Sequence, residues 1–289
     1  MKKITLIGAG SDLGVHIDGA RNGPKKILAN YSNYKTILLE QDNNIKKSID
    51  PTDLKKNLVE VNNFNKELYN KILEENNFCI TIGGDHSIAI ASGLASLKKH
   101  KNLGLIWCDA HLDYNTFQTT ITGNLHGLPL ACLNGLNEEL SIFHDKTYFN
   151  PKNTVVVGYR AFEENAMSEI NNIKTMGVTV FTTKDIKEYG VEKIMQQAFS
   201  IANKNTDGIH FSFDLDVIDP TIAKGVTVKE KNGINLDEVD KIVNLITKEK
   251  KIKSFDLVEY NPLNDVDNKT LEIANNILNK IINTKTEDI

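Results

Sequence analysis

The polar and apolar positions of the chain alternate between two textures. Eight short apolar runs rich in Ile, Val and Phe occupy Ile4–Ile7, Thr36–Leu39, Phe78–Ile82, Leu103–Cys108, Thr154–Val157, Val178–Phe181, Ile209–Phe213 and Ile252–Leu257. Their hydrophobicity is continuous rather than alternating, which predicts strands covered on both faces, as in a parallel sheet. Between them lie amphipathic stretches. Asn22-Gly23-Pro24 opens one helix with proline in its first turn. Asp53–Asn76 reads as a long helix with Leu54, Leu58, Val61, Phe64 (or Asn65), Leu68 and Ile72 on one stripe. Leu236–Lys248 and Asn268–Ile282 are further helices. Strand then helix, repeated, predicts an α/β fold. Two irregular stretches, Leu112–Asn124 and Val217–Gly233, each follow a strand ending in acidic residues. Ligands of α/β sheets bind beyond the carboxyl ends of strands, so these loops are where chemistry is expected.

Length and composition narrow the class. The 289 residues are 40% hydrophobic and 25% charged, which fits one globular domain over 1–289 and excludes a disordered chain. No apolar run reaches the ~18 residues that span a bilayer, and the run after Lys3 is too short for a signal-peptide core. The net charge of −4 predicts neither a nucleic-acid nor a membrane partner. Cys79, Cys108 and Cys132 are sparse and unclustered, which reads as buried thiols in a cytoplasmic protein.

Several residues imitate sites. Gly8-x-Gly10 and Gly14 miss the spacing of a dinucleotide fingerprint and read as a turn. His16-x-Asp18 has no adjoining ligand type, His100 and His144 read as surface, and His210 as a satisfied core histidine. Lys248–Lys253 reads as a solvated helix end.

Three strand ends concentrate metal-ligand types: Gly83-Gly84-Asp85-His86-Ser87, Asp109-Ala110-His111-Leu112-Asp113 and Ser212-Phe213-Asp214-Leu215-Asp216. In extended chain alternate side chains share a face, so Asp109, His111 and Asp113 align, as do Asp214 and Asp216. With His86 they make four carboxylates and two imidazoles. Four carboxylates in one cleft repel, and two divalent cations balance them. Oxygen-rich shells with imidazole suit manganese, and also iron, cobalt or nickel. Such a metal pair, roughly 3.5–4 Å apart, ionises a bridging water without a Ser or Cys nucleophile.

Together these motifs, with Ser-Phe-Asp-x-Asp-x-x-Asp-Pro extending over 212–220, resemble the arginase (ureohydrolase) family in order and spacing along most of the chain. The resemblance implies a three-layer α/β/α fold around a central, mostly parallel eight-stranded sheet. It implies two Mn2+ ions, one held by His86, Asp109, Asp113 and Asp214, the other by His111, Asp109, Asp214 and Asp216, with Asp109 and Asp214 bridging. It also implies hydrolysis of L-arginine to L-ornithine and urea by a metal-bridging hydroxide. Asp113 passes a proton to the leaving nitrogen, Glu259 holds the guanidinium, and His126 in Gly123-Asn124-Leu125-His126-Gly127 relays protons with a pKa near its ordinary value. Asn115 and Thr122 match positions that hold an amino acid's carboxylate, and Glu163 aligns with an acid for its α-amino group. The loop Ala223-Lys224-Gly225-Val226-Thr227-Val228 departs from the usual Gly-Thr-Gly-Thr-Pro pattern and resembles formimidoylglutamase-like relatives. The alternatives are therefore another ureohydrolase, acting on formiminoglutamate, agmatine or a guanidino acid, or a non-catalytic metal-binding relative. The family implies a homo-oligomer, trimer or hexamer.

Overall fold

The computed structural model describes residues 4–142, 147–161 and 166–287. Eight strands form one sheet: β1 (Ile4–Gly10), β2 (Lys35–Glu40), β3 (Phe78–Gly83), β4 (Leu103–Cys108), β5 (Thr154–Tyr159), β6 (Thr179–Thr182), β7 (Gly208–Asp214) and β8 (Ile252–Val258). Their order is β2-β1-β3-β8-β7-β4-β5-β6, and every pairing is parallel. Seven strands cover the run expected from their hydrophobicity and extend it by at most a few residues, and β6 is shifted by one, leaving Val178 outside.

Successive side chains of each strand feed two separate cores. Ile4 and Leu6 join one, Ile7 and Ala9 the other; Ile106 and Cys108 face the first, Leu105 and Trp107 the second. The first core is closed by α1 (Gly23–Leu28), α6 (Thr183–Tyr189), α7 (Val191–Ala202), α8 (Leu236–Lys248) and α9 (Lys269–Glu287). The second is closed by α2 (Leu58–Glu74), α3 (Ala89–His100), α4 (Pro129–Leu133) and α5 (Ala166–Met176). Because both faces are covered, the strands can be apolar throughout, and the architecture is the expected three-layer α/β/α sandwich. Among the described residues no helix is long and apolar enough to cross a membrane. Cys79, Cys108 and Cys132 are free and buried.

Two helix boundaries differ from their hydrophobic patterns, and one of them is the end of α9, which runs past Ile282 to Glu287. Helix α2 starts at Leu58 rather than near Asp53, because Asn57 takes a left-handed conformation (φ 59°). The Asn57 side chain accepts from Ser48 N at 2.7 Å and donates to Leu13 O at 3.2 Å, which locks that turn. Helix α8 matches its expected span, held by a capping box between Asn235 and Glu238.

Candidate active site

Four adjacent central strands, β3, β8, β7 and β4, end at the same edge of the sheet and deliver the chemistry-bearing residues there. His86 follows β3, Glu259 follows β8, Asp214 closes β7 and Asp109 follows β4. The motifs are not extended as the alternation argument supposed. Leu215–Val217 form a 3-10 turn in which Asp214 Oδ1 accepts from Asp216 N at 2.7 Å. Asp113 is left-handed (φ 49°). The convergence comes from these turns, which fold each ligand pair over its strand end.

His86 Nδ1 lies 3.0 Å from Asp109 Oδ2, 3.2 Å from Asp113 Oδ2 and 3.1 Å from Asp214 Oδ2. It makes no regular hydrogen bond to a described residue although it is buried. Its other nitrogen, Nε2, meets Ser212 Oγ at 2.8 Å, and its ring stacks on Trp107 with centroids 3.9 Å apart. His111 Nδ1 lies 2.9 Å from Asp216 Oδ2 and 3.4 Å from Asp109 Oδ1. Asp109 therefore divides its oxygens between two imidazoles, while Trp107 Nε1 donates to its Oδ2 at 2.9 Å. Two groups could each hold a cation: His86, Asp109 and Asp214, and Asp109, His111 and Asp216. Asp109 is common to both, and Asp113 joins the first through His86. Asp214 falls in the first group alone. A buried imidazole nitrogen turned onto three carboxylate oxygens fits a cation in that position, with Ser212 fixing the outer nitrogen.

The electrostatics agree. Burial disfavours charge on both imidazoles, yet the surrounding carboxylates raise His86 and His111 well above the ordinary histidine value. Burial and the charge of Asp109 raise Asp113 to about 7. Burial, Asp216 and Asp109 raise Asp214 well above the carboxylate range. Burial opposes ionisation of Asp109, but hydrogen bonds with His111 and His86 outweigh it and lower its pKa. Without a cation, protons bind the cluster together.

The cluster lies in a cavity of about 280 Å³ whose wall includes His126, Glu259, Asn115 and Thr122. His126 Nδ1 sits 3.0 Å from Glu259 Oε1, which also accepts from His86 N at 2.9 Å. Burial alone would lower the His126 pKa, but the Glu259 carboxylate carries it up to about 9. That corrects the expectation of a near-ordinary value: the paired acid comes from a different strand end. Glu259 is itself left-handed (φ 66°) and buried. Asn115 accepts from Thr119 Oγ1 at 3.1 Å, and Thr122 sits exposed at the mouth.

The chain matches the Arginase family model over residues 2–283. It belongs to the arginase family. It is 33% identical to the arginase of Bacillus subtilis (strain 168), with 98% of this chain and 99% of that protein covered. Among solved structures, arginase from Bacillus cereus aligns at TM-score 0.85 and 30% identity, covering 96% of this chain and 98% of that one. Entamoeba histolytica arginase in complex with L-ornithine aligns at TM-score 0.89 and 29% identity, covering 97% and 98%. The chain is thus a hydrolase of the ureohydrolase type.

Within this arginase-family site, several contributors were given no role from the sequence. Glu169 of α5 reaches the cavity wall and accepts from Tyr114 N at 2.7 Å. Asp85, fully buried behind His86, is pushed to about 6 by burial and the nearby Glu259 charge. It accepts from Gly14 N at 2.8 Å, and a Cβ on Gly14 would lie 2.6 Å from its other oxygen, so that glycine serves close approach rather than a nucleotide. His16 is not isolated: it lines the cavity, with Nδ1 3.2 Å from Asn124 Oδ1, while Asp18 pairs with Lys47 at 2.7 Å. His210 is a core histidine whose Nδ1 meets Ser254 Oγ at 2.7 Å, while its Nε2 lies 3.0 Å from Asp256 Oδ2 without a regular hydrogen bond among the described residues, so it is only half satisfied. His100 is half-buried at the end of α3 rather than surface. Glu163 and His144 lie outside the described residues.

Proposed function

We propose that the protein hydrolyses L-arginine to L-ornithine and urea with two Mn2+ ions. One ion is held by His86, Asp109, Asp113 and Asp214, the other by His111, Asp216, Asp109 and Asp214. The observation that carries this reading is the pair of imidazole–carboxylate groups joined through Asp109 at the base of a cavity rimmed by Asn115 and Thr122. When bound, the ions supply Lewis acidity that brings the ionisation of water toward neutral pH.

The chain's own residues do the rest. A guanidinium stays protonated, so it needs a carboxylate partner beside the cluster, and Glu259 takes that role. Asn115 and Thr122 hold the substrate carboxylate. Glu169, on the same wall, takes the α-amino group, the role expected of Glu163 from the alignment. Asp113 accepts a proton and returns it to the leaving nitrogen. His126, protonated at neutral pH through Glu259, donates to the departing side-chain amine and recovers its proton from solvent. The family and the free buried thiols support a cytoplasmic, homo-oligomeric enzyme, trimer or hexamer, with residues 1–289 acting as one domain.

A substrate panel with manganese-loaded protein tests the reading. L-arginine, agmatine, a guanidino acid and formiminoglutamate are compared, with urea and formamide quantified separately. Urea from L-arginine is the expected outcome. Formamide release, or preference for agmatine, would move the activity to another ureohydrolase. No turnover of any compound despite two bound ions would make it a non-catalytic relative.

A further inference from the structure

The two imidazoles of the cluster are not supported alike. His86 has its outer nitrogen fixed by Ser212. His111 points Nδ1 at Asp216 and Asp109, and its outer nitrogen, Nε2, is buried with no hydrogen bond among the described residues. Glu230 faces that nitrogen, with Oε1 4.0 Å away. Glu230 lies in the loop Val217–Gly233.

Glu230 is held there by its backbone. Arg160 Nη2 donates to Glu230 O at 2.9 Å and to Asp216 O at 2.7 Å. Its Nη1 donates to Val217 O at 3.0 Å, and its Nε to Lys231 O at 3.0 Å. One guanidinium thus ties the loop carrying Glu230 to the segment carrying Asp216. The Glu230 side chain is one-third exposed, so it has room to rotate the remaining distance. A ligating histidine generally donates its second N–H to a carboxylate or carbonyl, which fixes its tautomer and makes it a better ligand.

We propose that Glu230 is the orienting carboxylate of His111: it accepts the Nε2 proton, presents Nδ1 to the cation shared with Asp216 and Asp109, and so sets the affinity of that one ion. Glu230 is a positioning residue, and Arg160 is the clip that delivers it. The inference rests on the two-ion reading above.

The test is manganese binding, independent of turnover. Metal-free wild type, Glu230→Ala, Glu230→Gln and the loop control Lys229→Ala are titrated with Mn2+ by calorimetry, and bound manganese is followed by electron paramagnetic resonance. The expected result is a loss of about 10–100-fold in affinity for one ion in Glu230→Ala, the other unchanged. Glu230→Gln, which keeps an accepting oxygen, falls between, and Lys229→Ala matches wild type. Unchanged affinity for both ions in Glu230→Ala overturns the inference and leaves the two-ion reading standing, as does equal weakening of both. A wild type that binds fewer than two ions overturns the reading itself, and the inference with it.

Discussion

Loading metal into this cluster should expel protons in a number that the geometry sets. In the metal-free protein at pH 7, His86 and His111 each carry a proton, because the carboxylates around them raise both well above the ordinary value. Burial, Asp216 and Asp109 hold Asp214 well above the carboxylate range, and Asp113, near 7, is half protonated. Asp109 is ionised. A cation requires every ligand deprotonated. One proton each from His86 and His111 and half from Asp113 gives about two to three released on filling both sites. The sign follows: groups with raised values hold protons that compete with metal, so affinity falls as pH falls. The product of the two association constants should drop by roughly 10²–10³ from pH 7 to pH 6, one power of ten per proton released. Calorimetric titration with Mn2+ in two buffers of different ionisation enthalpy counts the protons, and repeating it at pH 6, 7 and 8 gives the slope. Release of less than one proton, with affinity flat over that range, would refute the arrangement of charges described here.

Other outcomes follow from single residues. Asp109→Asn should lose both ions and Asp216→Asn only one, because Asp109 belongs to both groups and Asp216 to one; metal content after gel filtration reads this directly. His126→Asn should lower kcat by about 10²–10⁴ while both ions remain bound, since it removes a proton donor and no ligand. Phe211, fully buried and stacked against Phe255 at 5.9 Å, anchors the core beneath the site. Phe211→Ala should destabilise the fold by about 3–5 kcal/mol, seen as a lower urea midpoint with unchanged slope.

The fold was legible because a parallel sheet covered on both faces imposes continuous apolar runs, and all eight emerged. The clustering of acids and imidazoles was legible because charge at the end of an apolar strand is costly without a partner. What stayed hidden depends on contacts between distant segments. Glu169 sits in an ordinary amphipathic helix, and its place on the cavity wall follows from where α5 packs. His16 and Asn124 meet across 108 positions of chain. The raised pKa of His126 follows from Glu259, which is 133 positions away. The left-handed Asn57 that delays α2 depends on Ser48 and Leu13, outside any helical window.

The hidden features share a physical basis with the site itself. Asp113 and Glu259 both have positive φ, a conformation that costs on the order of 1 kcal/mol or more for a side-chain-bearing residue. Neither is left to choose. Asp113 O accepts from Leu130 N at 3.1 Å and Ala131 N at 3.2 Å, so helix α4 holds that turn, and Glu259 N donates to Gly84 O at 2.8 Å, which ties β8 to β3. The surrounding sheet and helices therefore stabilise a local arrangement that is unfavourable in two ways, through backbone conformation and through gathered acids. A cation relieves the second but not the first. The backbone strain is held by hydrogen bonds within the chain itself, so the protein's own contacts fix where Asp113 and Glu259 stand.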